Sequence, residues 1–513
     1  MSDIEPTGET VENDSFFPEQ DEDIREVREE RAPLTARGMA ILGARVATGA
    51  VGIAVAVVVV TSAALLPLPS VTAVAPSELV TPVPTAQQLV CPGSVLRLAD
   101  DAGQGATQAS AVGTPQLRSD SSLGDVVQEA LVESDAGTGG TSGAPQIIST
   151  PPDPADPTQR ILISGAQAQT VNSGDFVGLA AGNCTGASAD TWLVGGATVV
   201  GRTTLLTLSN PTEVPATVDL ELFGETGPIT APGTSGIVVP ASGQRVLSLA
   251  GFAPEVASPV VHVTSVGGQV VAELQETIVR GLQPGGVDVF GASTPPSLDT
   301  VIPGLTIAGA ADIESTLGIG PGFEDLQTIL RVFVPGDVAA ESTVRVTPED
   351  GVGTGTSFAF TFDAGRVVDV PIPELADGRY TVRVESQVPL LAAARASAAA
   401  GQKTDLAWFA SSPELTGPTQ VTIAPGPSPV VHFANTGTEQ VTVTLTSETG
   451  GALSLTVLPG TAAHIRVTEG ATYLLEGFSS KLYASVSVLE AGAVAHYSIT
   501  PPGVGSSPIV IYP

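Results

Sequence analysis

Over most of the chain, apolar and polar positions alternate in short runs that are interrupted by glycine or proline. Alternation with a period of two gives an extended strand one dry face and one wet face, so the pattern predicts half-buried antiparallel β-strands. One pattern recurs three times, as SNPTEVPATVDLELFGETG, FVPGDVAAESTVRVTPEDG and FANTGTEQVTVTLTSETG. Counted back from Gly227, Gly351 and Gly450, the triplets Val218/Leu220/Leu222, Ser342/Val344/Val346 and Val441/Val443/Leu445 fall in register. Between them lie Asp219 and Glu221, Thr343 and Arg345, Thr442 and Thr444, and Ser342 is the one polar residue on the apolar side. Each copy continues with a strand, a glycine turn and a strand: IVVPASGQRVLSL, FTFDAGRVVDVPI and LTVLPGTAAHIRV. A further pair of apolar runs follows in each, PVVHVTSVGGQVVAELQETIV, RYTVRVESQVPLLAAARAS and TYLLEGFSSKLYASVSVLEAG. Short strands, regular turns and a repeat of about a hundred residues predict tandem β-sandwiches of immunoglobulin-like architecture. Trp192, in ADTWLVGG, precedes the first copy and Trp408, in TDLAWFASS, precedes the third, so the two are expected as equivalent core residues of the repeat.

The N-terminal part breaks this pattern. Residues 46–66, VATGAVGIAVAVVVVTSAALL, carry no charge and no polar stripe, and are long enough to cross a hydrocarbon core of roughly 30 Å. Arg25, Arg28, Arg31, Arg37 and Arg45 lie upstream and the first charge downstream is Glu78, which predicts a cytoplasmic N-terminus and an extracytoplasmic bulk. A signal peptide cut after Ala75 is the competing reading; the length of the apolar run and Pro76 beyond the cut oppose it. The expected organisation is a disordered acidic cytoplasmic tail over 1–37, a transmembrane helix over 38–68 and a Pro-rich stalk over 69–90. Three β-sandwich domains follow, over 91–300 (with a flexible loop at 133–157), 301–412 and 413–513.

Composition narrows the function. With 20 Lys and Arg against 53 Asp and Glu, the net charge of −33 repels phosphate backbones and excludes nucleic acid as a natural partner. The membrane, through the N-terminal helix, and an envelope protein or polysaccharide are the partners that remain. Cys91 and Cys184, the only cysteines, fall in the segment predicted to be exported, where an oxidising surface favours a disulfide over free thiols. No metal or redox cofactor is expected, because neither CxxC nor a Cys/His cluster is present. His262, His432, His464 and His496 are scattered, and those in HVTSV and VVHFAN read as packed or polar-face strand residues. Asp100-Asp101 and Glu349-Asp350 supply too few oxygens for calcium and read as turn residues. No HExxH, GxSxG, SxxK or phosphate-binding loop occurs, so no catalytic residue is expected.

The succession of an apolar helix, a stalk, LVCPGS, GLAAGNC, TWLVGG and LTLSNPTEVPATVDLELFGETGP resembles an uncharacterised actinobacterial family of membrane-anchored extracytoplasmic proteins. The resemblance implies that the two cysteines are a paired feature and that the setting is the cell envelope; it implies no catalytic residue. The expected function is that of a structural or interaction protein of the envelope without catalysis. The rival is an accessory protein that binds or processes envelope polysaccharide, which a groove with exposed aromatics or convergent carboxylates would favour.

Overall fold

Strands make up nearly all the regular structure in a computed structural model of the chain. It describes residues 47–58, 78–80, 87–98, 109–133, 143–153, 155–156, 161–320, 322–351, 355–372, 375–479, 481–502 and 509–511. The chain divides into two compact units, Met1–Ser77 with Tyr512–Pro513, and Glu78–Ile511. In the first, residues 47–58 are helical and exposed; the rest of the expected membrane segment and the acidic tail lie outside the described residues. No described helix is long and apolar enough to cross a membrane.

The second unit contains three two-sheet blocks of one topology. Eight strands of the first block recur in the others, Asp190–Val194, Arg202–Asn210, Ala216–Gly224, Ile237–Val239, Gly243–Ser248, Val260–Gly267, Val271–Arg280 and Gln283–Phe290, and a further strand, Gly227–Ile229, pairs with the end of Ala216–Gly224. Numbered in that order, the eight form one sheet with the order 1-6-3-4 and a facing sheet with the order 8-7-2-5. The third block repeats both orders with Thr419–Thr422, Val430–Asn435, Val441–Ser447, Ala452–Val457, Ala462–Arg466, Thr472–Glu476, Leu482–Glu490 and Ala493–Ser498. The second uses Ser297–Ile307, Ile329–Phe333, Ala340–Pro348, Thr356–Phe362, Val367–Pro371, Gly378–Ala400 and Lys403–Ala410. Here Gly378–Ala400 is one strand serving as both 6 and 7, pairing in one sheet over Gly378–Leu390 and in the other over Leu391–Ala400. The sequence predicts two strands there. The other copies turn through Gly267-Gly268 and Gly477, whereas Gln387-Val388-Pro389 has no glycine to reverse the chain. The 3–6 and 2–5 pairs are those of an immunoglobulin sandwich, but strand 1 lies beside 6 and strand 7 beside 2, so the edges differ.

The three aligned triplets all fall on strand 3. Val218, Leu220 and Leu222, Val344 and Val346, and Val443 and Leu445 are buried in three separate cores. Ser342 is buried as well, and its hydroxyl donates to the Ala340 carbonyl at 3.4 Å, which reconciles a polar residue with that face.

Apart from Val132–Glu133, the described strands between Gln87 and Asn183 form sheets of their own rather than strands of the first block, which moves the block's first strand from the expected 91 to Asp190. Gln87–Cys91, Gln146–Thr150 and Val127–Ala130 make one sheet; Phe176–Asn183, Ile163–Ser173 and Gln116–Ser121 make another. The strand Gln87–Cys91 occupies the end of the expected stalk, and Gln146–Thr150 lies inside the expected loop 133–157. Both expectations rested on nearby prolines and glycines, and Ile147 and Ile148 override them by burying against Val90 and the cysteines. The first block receives only Val132–Glu133, which pairs in parallel with Gly243–Ser248. Glu78–Val80 pairs antiparallel with Ile509–Ile511.

Four strands close the unit around its centre. Phe176–Asn183, Gln283–Phe290, Lys403–Ala410 and Ala493–Ser498 pack in a ring, one from the N-terminal sheets and the last from each block.

Candidate functional site

Asp405 sits in this ring, fully buried. Its carboxylate accepts backbone N–H bonds from Leu179 at 2.8 Å, Val287 at 3.0 Å and Val494 at 3.4 Å, one from each of the other three parts of the unit. Glycine makes this approach possible, since a Cβ on Gly178 would stand 2.5 Å from Asp405 Oδ1. Burial pushes the Asp405 carboxyl up to about 8, against the backbone donors that favour its charged form.

A second cluster joins the first and second blocks. Arg331 is fully buried on the strand Ile329–Phe333. Its guanidinium bonds both oxygens of Asp369, at 2.8 and 2.9 Å, and donates to the carbonyls of Gly196, Ala257 and Pro259 in the first block at 2.7, 3.0 and 3.2 Å. It also lies 4.6 Å from the Trp408 ring, a cation–π contact. Burial would raise the Asp369 carboxyl, but Arg331 outweighs it and holds the group below its ordinary value. Trp408 donates through its indole N–H to Glu276 at 2.6 Å and through its backbone N–H to Asp288 at 2.7 Å.

The third cluster lies between the second and third blocks. His432 Nδ1 is 2.6 Å from Glu349 Oε2, and His432 Nε2 is 2.7 Å from Ser487 Oγ. Glu349 also accepts from the Gly304 N–H and the Thr381 hydroxyl, each at 2.9 Å. Burial alone would raise the Glu349 carboxyl, and His432, with His464 and the Gly304 N–H, reverses that and lowers it to about 2. An acid, a histidine and a serine in a row have the connectivity of a hydrolase triad. Here His432 and Ser487 are 0% exposed and Glu349 3%, so no substrate carbonyl reaches the hydroxyl, and the row works as a clasp between blocks. Glu349 lies in the turn that its sequence suggests, just after the strand Ala340–Pro348, and is at the same time a buried anchor, while Asp100-Asp101 lies outside the described residues.

Cys91 and Cys184 form a disulfide, buried with Ile148 and Ile163. It ties the strand Gln87–Cys91 to the chain just before the first block, and a Cβ on Gly165 would fall 2.6 Å from Cys184 Sγ. The two tryptophans are buried, at 9% and 0% exposure, but are not equivalent. Trp192 lies on strand 1 of the first block, and Trp408 lies on the last strand of the second with its side chain in the first block's core. The spacing misleads because TDLAWFASS closes one repeat rather than opening the next. His262 stacks on Trp192 at 3.9 Å between ring centres and lies 2.8 Å from Glu221. Burial keeps His496 neutral, lowering it to about 3.

Beside the disulfide opens a cleft of about 1000 Å³, walled by residues such as Gln87, Asp190, Ser293 and Gln420. Asp190 is the one charged side chain among its described residues. Trp192, Phe290, Trp408 and Tyr497 line it, but each is buried to 9% exposure or less. The cleft therefore offers neither paired carboxylates nor an exposed stacking surface. Among the described residues, no three His, Cys, Asp or Glu side chains are grouped to hold a metal ion.

Fold and clusters define a protein of repeated two-sheet β-blocks, stapled by a disulfide and locked by buried polar contacts. The chain belongs to a family of unknown function, DUF5719, whose family model matches residues 141–468 and so includes Cys184 but not Cys91. No curated protein matches it. A crystal structure of a tetra-tandem repeat in the extending region of a large adhesion protein is 13% identical over 82% of this chain and 93% of that one. Its TM-score of 0.10 is too low to relate the two folds.

Proposed function

We propose that the chain is a membrane-anchored, single-pass, extracytoplasmic protein of the bacterial cell envelope, with a structural or interaction role and no catalytic activity. The observation that carries this reading is the buried Cys91–Cys184 disulfide, which belongs to oxidising compartments. The inaccessible Glu349–His432–Ser487 row and the single carboxylate of the cleft support a non-catalytic role. The shared 3–6 and 2–5 strand pairs support an immunoglobulin-like relationship. A reporter fused after Pro513 tests the topology: it is expected to be active outside the membrane only, on a protein that retains Met1–Ala75. A soluble form that begins at Pro76 would overturn the anchor. Ser487→Ala is expected to leave any envelope phenotype intact; its loss in a normally folded protein would restore catalysis.

The polysaccharide-binding alternative rests on the cleft, where the Ser293 hydroxyl and the Gln420 amide nitrogen lack a hydrogen-bond partner in the structure. Both atoms are closed to solvent in the wall of the cleft, so a neutral glycan would reach these uncharged donors only by parting that wall. Envelope glycan retained by the wild type and lost with Ser293→Ala and Gln420→Ala together would favour this reading.

A further inference from the structure

The fourth strand of each block is a sheet edge, and the three edges differ. In the first block the edge is broken into two strands of three residues, Gly227–Ile229 and Ile237–Val239, and the second stops at Pro240. In the second it is Thr356–Phe362, TSFAFTF, seven residues without charge, proline or glycine. In the third, ALSLTV is also uncharged but has no aromatic residue. An edge exposes unpaired N–H and C=O groups that template another strand, and folded proteins blunt such edges with lysine, proline, bulges or brevity. Thr356–Phe362 has none of these. One side pairs with Ala340–Val346 in unbroken register, and no described strand covers the other. Ser357, Ala359 and Thr361 are exposed, and Phe360 is 38% exposed, the one aromatic among the large exposed apolar side chains of the described residues.

We propose that this edge pairs with the same edge of a second copy of the chain, antiparallel, about a two-fold axis through Ala359. That register is the longest available. It sets Ser357 against Thr361, Phe358 against Phe360 and Ala359 against itself. Hydroxyl–hydroxyl and aromatic–aromatic neighbours are favourable cross-strand pairs. Charge selects the same surface. At −33, two copies repel over most of their faces, whereas no charged residue lies on this seam. One strand further in, Glu341 stands beside Thr361 and Arg345 beside Ser357. Each row across the seam then runs Glu341, Thr361, Ser357, Arg345, placing an acid of one copy in line with a base of the other. Such an interface is isologous and closes at two chains. The inference stands on the edge alone, wherever the chain resides. A seven-residue seam is small beside the about 1,200–2,000 Å² of stable interfaces, so the dimer is concentration-dependent.

Cysteine cross-linking of the purified full-length chain tests this. Residues opposed on antiparallel strands lie within disulfide reach. Under mild oxidation Ala359→Cys is expected to give a covalent dimer on a non-reducing gel. Ser357→Cys and Thr361→Cys are expected to cross-link when mixed but not alone. Adding Thr361→Lys to Ala359→Cys is expected to abolish the dimer while circular dichroism and melting temperature stay unchanged. An Ala359→Cys chain that remains monomeric, a dimer that survives Thr361→Lys, or self-cross-linking of Ser357→Cys would each overturn the proposal.

Discussion

Single buried charges do much of the joining between blocks, and their removal is costly because the partner is left behind. Arg331→Met strands the Asp369 carboxylate and three carbonyls that the guanidinium satisfies. Breaking a buried ion pair from one side costs about 3–5 kcal/mol, so urea denaturation is expected to show a loss of that size; a loss below about 1 kcal/mol would mean that water replaces the guanidinium. The carboxylates also set a pH dependence, and two of them pull in opposite directions. Glu349 is lowered to about 2 from an ordinary 4.5, so it binds protons more weakly folded than unfolded. Its contribution is complete above pH 4.5 and is lost as the pH falls toward 2. Glu273 is raised by burial to about 8, so the folded state holds its proton more tightly. Its contribution is complete below pH 4.5 and is lost as the pH rises toward 8. Glu349→Gln is expected to make the acid limb of a stability–pH curve shallower, and Glu273→Gln to reduce the slope between pH 5 and 8 that it shares with Asp405, in chemical denaturation followed by fluorescence. A Glu273→Gln variant with the wild-type slope would place that proton elsewhere.

At the level of elements, the strand-3 alternation makes a sharp distinction between neighbouring residues. Leu445 is fully buried and Thr444 half-buried on the other face. Leu445→Ala is expected to cost about 2–5 kcal/mol and Thr444→Ala within about 0.5 kcal/mol, measured by denaturant midpoint. Equal losses would mean that the faces are misassigned. Alternation of this kind is local, which is why the three triplets and the strand–turn–strand pairs directly after them were legible without a structure, whereas the continuity of Gly378–Ala400 was not. What escaped detection was non-local. Arg331 lies in ILRVF, a run buried on both faces, and nothing within five residues shows that its partners are carbonyls some 70 to 135 positions away. His432 and Glu349 look like isolated residues because 83 positions separate them. A charged residue inside a strand otherwise apolar on both faces was the available signal, since burial there requires a partner. The disulfide was legible because two cysteines permit one pairing. The tryptophans misled because both lie next to a repeat boundary, and sequence order does not say which core a boundary strand enters.

For the whole molecule, the ring of four strands converts a linear series of repeats into a closed object. Repeats that touch only their sequence neighbours unfold in a graded way, because each interface can open separately. Here the N-terminal sheets meet both the first and the last block around Asp405, so every block has two neighbours in the ring. The disulfide holds together the N-terminal sheets that supply one member of the ring, joining positions 93 residues apart, worth about 4–5 kcal/mol in the chain-entropy model. Closure predicts one cooperative unfolding transition of the region from Glu78 to Ile511. Asp405→Ala leaves the N–H groups of Leu179, Val287 and Val494 without their acceptor, at about 1–3 kcal/mol for each fully stranded donor. Because those donors belong to three different parts, the damage falls on their mutual contacts and not on one core. Calorimetry of the wild type is therefore expected to give a single peak, and the Asp405→Ala variant a lower, broader one that resolves into successive transitions. A variant that melts in one peak at the wild-type temperature would show that the apolar flanks of the ring hold the blocks together without the carboxylate.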